Sequence, residues 1–287
     1  MRLTHVVALT LALSLAGCGG SDQPSKLWEA SGFQTPESAL PDTDAAVIYV
    51  SNMAGKPNEK DGNGYISKLS LDGKVITDKW VTGLDAPKGM ALVDGKLFVA
   101  DIDKLVEIDV ATSAITTKHE AAGAKILNDV AAGIDGDIYV SDWSGNAIWR
   151  LADGKFEKWL ESDQLKNPNG LLVESDKLVV AAWGAMEPDF STKTPGNLLS
   201  VNLEDKTISN LGDGKPVGNL DGLEPLEADT YIVTDWVAGK VFEIAKSGKA
   251  KELLSLSQGS ADLGYIPASR TAIIPLMVDG KVVAYKF

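Results

Sequence analysis

Five polar residues stand at corresponding places in a chain that repeats itself: Glu37, Lys88, Asn128, Asn169 and Asp221. Each opens a short, mostly apolar run: Glu37-Ser38-Ala39-Leu40, Lys88-Gly89-Met90-Ala91, Asn128-Asp129-Val130-Ala131, Asn169-Gly170-Leu171-Leu172 and Asp221-Gly222-Leu223. Two carboxylates and two amide oxygens are hard donors. They suit Ca2+, Mg2+ or Mn2+ better than a soft, thiol-preferring metal. With so few protein ligands, water or substrate would fill the remaining positions, as at a catalytic metal. Taken singly, each residue also has a plain explanation. Asn and Asp before Gly are common in turns, and Glu37 before a strand can be a surface residue. Lys88 can contact a substrate oxygen or simply be solvated. Only a fold that gathers these residues gives them a shared chemistry.

What the chain lacks narrows that chemistry further. Its two histidines are His5, close to the N-terminus, and His119. A Ser-His-Asp triad or a histidine dyad is therefore excluded from the centre of the domain. Cys18 is the single cysteine, so no disulfide forms within one chain. No glycine-rich phosphate loop follows a strand and opens a helix. Lys and Arg number 27 against 40 for Asp and Glu, a formal net charge of −13. No basic face for nucleic acid can be assembled from that balance. The arginines are Arg2, Arg150 and Arg270, none of them beside an opener. With no guanidinium clamp for a carboxylate, a neutral or sugar-like small molecule is the expected partner.

The elements that must position the openers recur with them. After each opening run comes a nearly continuous apolar run: Val47–Asn52, Lys96–Asp101, Asp137–Asp142, Lys177–Ala182 and Thr230–Asp235. Such β-branched and aromatic runs suit strands buried on both faces. Turns rich in Asp and Gly precede several of them, such as Asp94-Gly95 and Asp135-Gly136. Alternating strands follow, such as Lys104–Asp109 and Lys240–Ile244. A sixth, weaker unit begins near Ala261-Asp262-Leu263. Six units from Glu37 to Phe287 average about 42 residues, within the range of a four-stranded propeller blade. Helix signals are almost absent. The expected fold is an all-β, six-bladed β-propeller; a two-sheet sandwich is the alternative, but it does not predict the period. After Ala261 only three strands fit, and Lys26–Ala30 can supply the fourth, closing the ring.

In a propeller the loop into each inner strand and the loop after each second strand share one face. The five openers then converge on one mouth of the channel. Trp143, Trp183 and Trp236 each follow a second strand on that face. They are candidate ligand-binding walls, with packing between blades as the alternative. Asp101, Asp142 and Asp235 end second strands and read as turn or strand-end residues. Two long loops overhang the same mouth: Asn52 to Gly64 in the first unit, and Trp183 to Pro195 in the fourth. They could select substrate or be tolerated insertions.

With these motifs placed, the chain resembles the SMP-30/gluconolactonase (regucalcin-like) family of six-bladed propellers. The resemblance runs from Thr35 to Phe287. It rests on Thr35-Pro36-Glu37-Ser38-Ala39-Leu40, Leu127-Asn128-Asp129, Asn167-Pro168-Asn169-Gly170-Leu171 and Leu220-Asp221-Gly222-Leu223-Glu224. It implies one divalent metal, Ca2+ first, with Mg2+, Mn2+ or Zn2+ as options, held by Glu37, Asn169 and Asp221. It places Asn128 beside the metal, holding substrate or water, and makes Asp221 the general acid/base of lactone hydrolysis. The implied function is a metal-dependent hydrolase of a lactone or related cyclic ester. The alternative is a non-catalytic ligand-binding or scaffold propeller; a metal buffer fits poorly with one open site.

The N-terminus reads as a targeting segment. Arg2 precedes the apolar Val6–Leu15, which is too short to span a bilayer. Leu15-Ala16-Gly17-Cys18 resembles a bacterial lipobox, so Cys18 would carry the lipid. The alternative is an ordinary secretory signal with an incidental cysteine. The expected layout is a signal peptide over 1–17, a lipidated Cys18 and short tether over 18–25, and one propeller over 26–287. Gly19 after the cysteine points to the periplasmic face of an outer membrane, if the cell has one, and otherwise to an extracytoplasmic surface. Contact with the membrane would run through the lipid alone.

Overall fold

A computed structural model describes residues 23–187 and 191–287. The signal segment with His5, Cys18 and most of the tether lies outside the described residues. The described chain forms six four-stranded antiparallel sheets arranged as a six-bladed β-propeller. The inner strands are Pro36–Asp42, Pro87–Val93, Leu127–Ala132, Pro168–Glu174, Leu220–Glu227 and Gly264–Ile266. The second strands are Val47–Asn52, Lys96–Asp101, Ile138–Asp142, Lys177–Ala182, Thr230–Asp235 and Thr271–Leu276. All six second strands are buried along almost their whole length. Their near-continuous apolar character follows from that two-sided burial. Among the described residues, helix is limited to two three-residue 3-10 turns.

One apolar cluster lies between each pair of neighbouring blades. Met90, Leu97 and Val99 of the second blade pack on Tyr49 and Ile66 of the first. Ile48 and Val50 of the first pack on Ile273 and Ala284 of the sixth. No blade can bury both faces alone, so stacking round the ring builds the core. The sixth sheet is closed by Ser25–Ser31, which pairs antiparallel with Lys281–Lys286. Trp28 on that closing strand also donates its indole N–H to the Leu71 carbonyl of blade one, at 3.0 Å.

The inner strands share an irregularity that matters for the site. Five of them break register one residue after the opener: Pro36 pairs with Asn52 but Ala39 with Val50, and likewise in blades two to five. A β-bulge of this kind re-aims a side chain and leaves a backbone group unpaired. In three blades a buried hydroxyl from the second strand takes the unpaired N–H. Ser51 accepts from Ser38 N, Ser141 from Asp129 N and Thr234 from Gly222 N, at 2.8–2.9 Å.

Candidate functional site

The openers share one end of the channel. Each stands next to the residue paired with the last residue of its second strand. In blades one, two and three that last residue holds the loop that launches the opener. Asp101 accepts from the N–H groups of Asp85 and Ala86, at 2.7–3.1 Å. Asp142 accepts from Lys125 and Ile126 at 2.9–3.2 Å, and Asn52 Oδ1 accepts from Gln34 N at 3.3 Å. These side chains are latches of the mouth, and their place at the ends of second strands is the signal that marks them.

All five openers are buried: Glu37, Lys88 and Asn169 at 2% exposure, Asp221 at 3% and Asn128 at 7%. A surface Glu37 and a solvated Lys88 are thereby set aside. Nor are the Asn-Gly and Asp-Gly pairs turns. Gly170 and Gly222 lie within inner strands where the next blade comes close. A Cβ on Gly170 would sit 2.2 Å from the Asp221 carbonyl oxygen, and one on Gly222 2.4 Å from Leu263 N. Glycine is required there because two backbones nearly touch.

Electrostatics show which side chains act on one another. Burial pushes the Glu37 carboxyl well up, and the charges of Asp221, Asp262 and Asp129 add to it while Lys88 opposes it. Those residues come from four other blades. Burial likewise pushes Asp221 well up, helped by Asp262, while a hydrogen bond from the Asn169 side chain pulls it down. Burial lowers Lys88 to about 8, although Glu37 and Asp101 favour its charged form. Its ammonium donates to the Ala86 carbonyl at 2.8 Å and to Pro57 at 3.0 Å. Pro57 belongs to the long loop of blade one, which therefore reaches over the mouth.

Three buried oxygens here have no hydrogen-bond partner: Glu37 Oε2, Asn128 Oδ1 and Asp221 Oδ1. An unsatisfied buried acceptor costs about 1–3 kcal/mol, more when charged. Three of them, on the openers of blades one, three and five, are what a hard cation would satisfy, and the donor set is all oxygen. The residues present fit a divalent metal. Among the described residues no three His, Cys, Asp or Glu side chains form a metal-sized group. The donor set is two carboxylates completed by amides.

One place deeper, at the bulge, stand Ser38, Gly89, Asp129, Gly170, Gly222 and Asp262. Ser38, Asp129 and Asp262 line a small polar pocket together with Glu224. Ser38 Oγ donates to Asp262 at 2.6 Å, and Asp129 accepts from Leu171 N at 2.6 Å and Val130 N at 2.7 Å. Burial raises Asp262 to about 6 and Glu224 to about 8, and Asp129 well above the usual carboxylate range. The strand opening that holds Asp262 and the motifs that hold Asp129 and Glu224 carry no sign that the three line one pocket. In the sixth blade Ala261 holds the opener's place, so that blade adds no polar group to the mouth.

Trp143, Trp183 and Trp236 come together. Trp183 lies edge-on to Trp143 at 5.4 Å between ring centroids and 6.0 Å from Trp236. The blade-four loop rests on this row, with Trp183 Nε1 donating to Thr192 Oγ1 at 2.9 Å. His119 is far from all this, on the outer strand of blade two, with Nε2 2.6 Å from Glu107 Oε1. Arg150 is paired with Asp137 and Arg270 with Glu227, both away from the mouth.

No family model and no curated protein sequence matches this chain. Solved structures do. A gluconolactonase from Xanthomonas campestris superposes with a TM-score of 0.67 at 14% identity, over 92% of this chain and 89% of that one. A calcium-binding regucalcin from Agrobacterium tumefaciens gives 0.64 at 15%, over 89% and 90%. A virginiamycin B lyase from Staphylococcus aureus gives 0.62 at 15%, over 92% and 100%. At such identities the likeness is one of fold.

Proposed function

We propose that this protein is a divalent-metal-dependent hydrolase of a lactone or related cyclic ester. The observation that carries the reading is the set of unpartnered buried oxygens on Glu37, Asn128 and Asp221, gathered from three blades at one mouth. A gluconolactonase and a calcium-binding regucalcin among the fold neighbours support it. Glu37, Asn169 and Asp221 would hold the metal, which supplies Lewis-acid polarisation of an ester carbonyl and acidifies water.

The remaining work belongs to the side chains. Asp221 takes the proton of the attacking water at Oδ1, its unpartnered oxygen. The bond from Asn169 fixes which way that carboxylate faces. The same carboxyl then returns that proton to the ring oxygen as the ester C–O bond breaks. Asn128 positions substrate and stabilises the carbonyl oxygen as negative charge develops there. Lys88, fixed by two carbonyls beside Glu37, offers positive charge to a substrate oxygen. Exclusion of water strengthens each of these interactions.

The test is acid release from a panel of lactones, with EDTA and with Ca2+, Mg2+, Mn2+ or Zn2+ added back. Turnover is expected to vanish with EDTA and return with one metal. Asp221→Ala is expected to cut it at least about 100-fold, the scale of a lost general base. Full activity in Asp221→Ala would sink the assignment. The near-complete burial of the openers favours one other reading, a propeller that binds its ligand without turning it over. Metal binding without hydrolysis of any lactone would establish that instead. For the envelope anchor we propose Cys18, with the protein held at the periplasmic or extracytoplasmic face. Incorporation of labelled palmitate, lost in Cys18→Ser, tests it.

A further inference from the structure

The residue after each second strand holds the same place in all six blades: Met53, Ile102, Trp143, Trp183, Trp236 and Met277. In five blades its N–H donates to the carbonyl two residues before the opener's place. Those acceptors are Thr35, Ile126, Asn167, Asn219 and Gly259, at 2.8–3.1 Å. In blade two, Ile102 packs instead with Ala86, which holds that same place. Six apolar side chains thus stand at the level of the loops that launch the openers, one per blade. They fall into two arcs. Met53, Ile102 and Met277 cluster round Ala86, and the three tryptophans form a row of ring contacts opposite. Trp143, Trp236 and Met277 keep partial exposure, while the other three are buried.

A polar centre ringed by apolar side chains, one from each blade, accepts a particular kind of molecule. Its reactive group must be polar, to satisfy the bare oxygens. The part that leaves through the collar must be largely apolar, because Met and Ile carry no hydrogen-bond donor and each tryptophan has only its indole N–H. Sugar hydroxyls buried there would lose water without replacement. A tryptophan row can stack on a sugar ring, but the Met and Ile arc opposite gives its hydroxyls nothing. Methionine adapts its shape to irregular apolar bodies.

We propose that the ligand of this mouth is an amphiphile: a lactone or ester head at the oxygen ring, with an alkyl chain or aromatic ring held by the collar. This rests on the reading of the openers as the reactive site. It departs from the neutral or sugar-like molecule expected from the sequence.

The test is a tryptophan-fluorescence titration of the EDTA-treated protein with δ-dodecalactone and, separately, with D-glucono-δ-lactone, so that binding is read without turnover. δ-Dodecalactone is expected to change the emission saturably, with half-saturation at least about tenfold below that of the sugar lactone, the scale of a few methylenes leaving water. Met277→Gln and Trp236→Ala are each expected to raise that half-saturation several-fold, with circular dichroism unchanged and Trp236→Phe largely restoring it. Equal or tighter binding of the sugar lactone, or no saturable response to δ-dodecalactone, would overturn the proposal. Metal-dependent hydrolysis of the sugar lactone with no response to δ-dodecalactone would overturn it and leave the hydrolase reading standing. Saturable δ-dodecalactone binding with no hydrolysis of any lactone would uphold it and remove the hydrolase reading.

Discussion

At the scale of single residues, the carboxylates of the channel are held in a form that water would not favour. Asp262 sits at about 6 and Glu224 at about 8, both raised first by burial. A carboxyl whose pKa is higher folded than unfolded binds its proton more tightly in the folded state. Its stabilising contribution is complete below the unfolded pKa and is lost as pH rises through the folded one. With divalent ions chelated, the Tm is therefore expected to fall as pH rises from about 5 to about 8. Lys88, lowered to about 8, has the opposite sign and adds stability only above that pH, so it does not mask the window. A Tm that stays flat or climbs across the window would mean that these carboxyls hold no protons. The openers were legible in the sequence because each is a lone polar residue ahead of an apolar run. Asp129, Asp262 and Glu224 were not legible as a group. Their meeting depends on where each inner strand turns its side chains, and neither composition nor spacing marks that.

At the scale of elements, the mouth is shaped by the first two strands of each blade acting together. In blades one, three and five the bulge aims the opener inward, a hydroxyl on the second strand satisfies the bulge, and a terminal Asp or Asn clamps the incoming loop. Repeated strand patterns revealed the blades, since two-sided burial demands long apolar runs. The bulges stayed hidden, because an extra residue in a strand has no residue type of its own. The clamps were readable only as strand ends. Asp142→Ala leaves the N–H groups of Lys125 and Ile126 without their acceptor. The expected cost is about 1–3 kcal/mol of stability, with Asn128 displaced along with its loop. Denaturant unfolding reads the first effect and turnover of the proposed substrate the second. A variant with unchanged stability would show that water replaces the clamp at no cost.

At the scale of the whole molecule, six similar sheets become one body only when the last meets the first. The closing strand contributes Trp28, which lies against Gly73 and bonds Leu71 in blade one. The closure was legible from a count: three strands remained for the last blade, and one unused strand lay at the other end. Trp28→Ala is expected to cost about 2–3 kcal/mol, less than a fully buried tryptophan because its ring is only half-buried. It should also loosen the seam between blades six and one ahead of the others, read as early amide exchange in Lys281–Lys286. Uniform exchange across all six blades would mean that the seam is no weaker than any other joint.

Ser25 lies directly across from Lys286 in that sheet. A propeller whose first and last strands are neighbours is, topologically, already almost a circle. Joining those ends through a short linker and cutting a loop elsewhere on the rim would reorder the sequence while leaving every blade its partners. The numbering then becomes a convention of where the thread happens to be cut, and the mouth, assembled from five separate stretches, belongs to none of them.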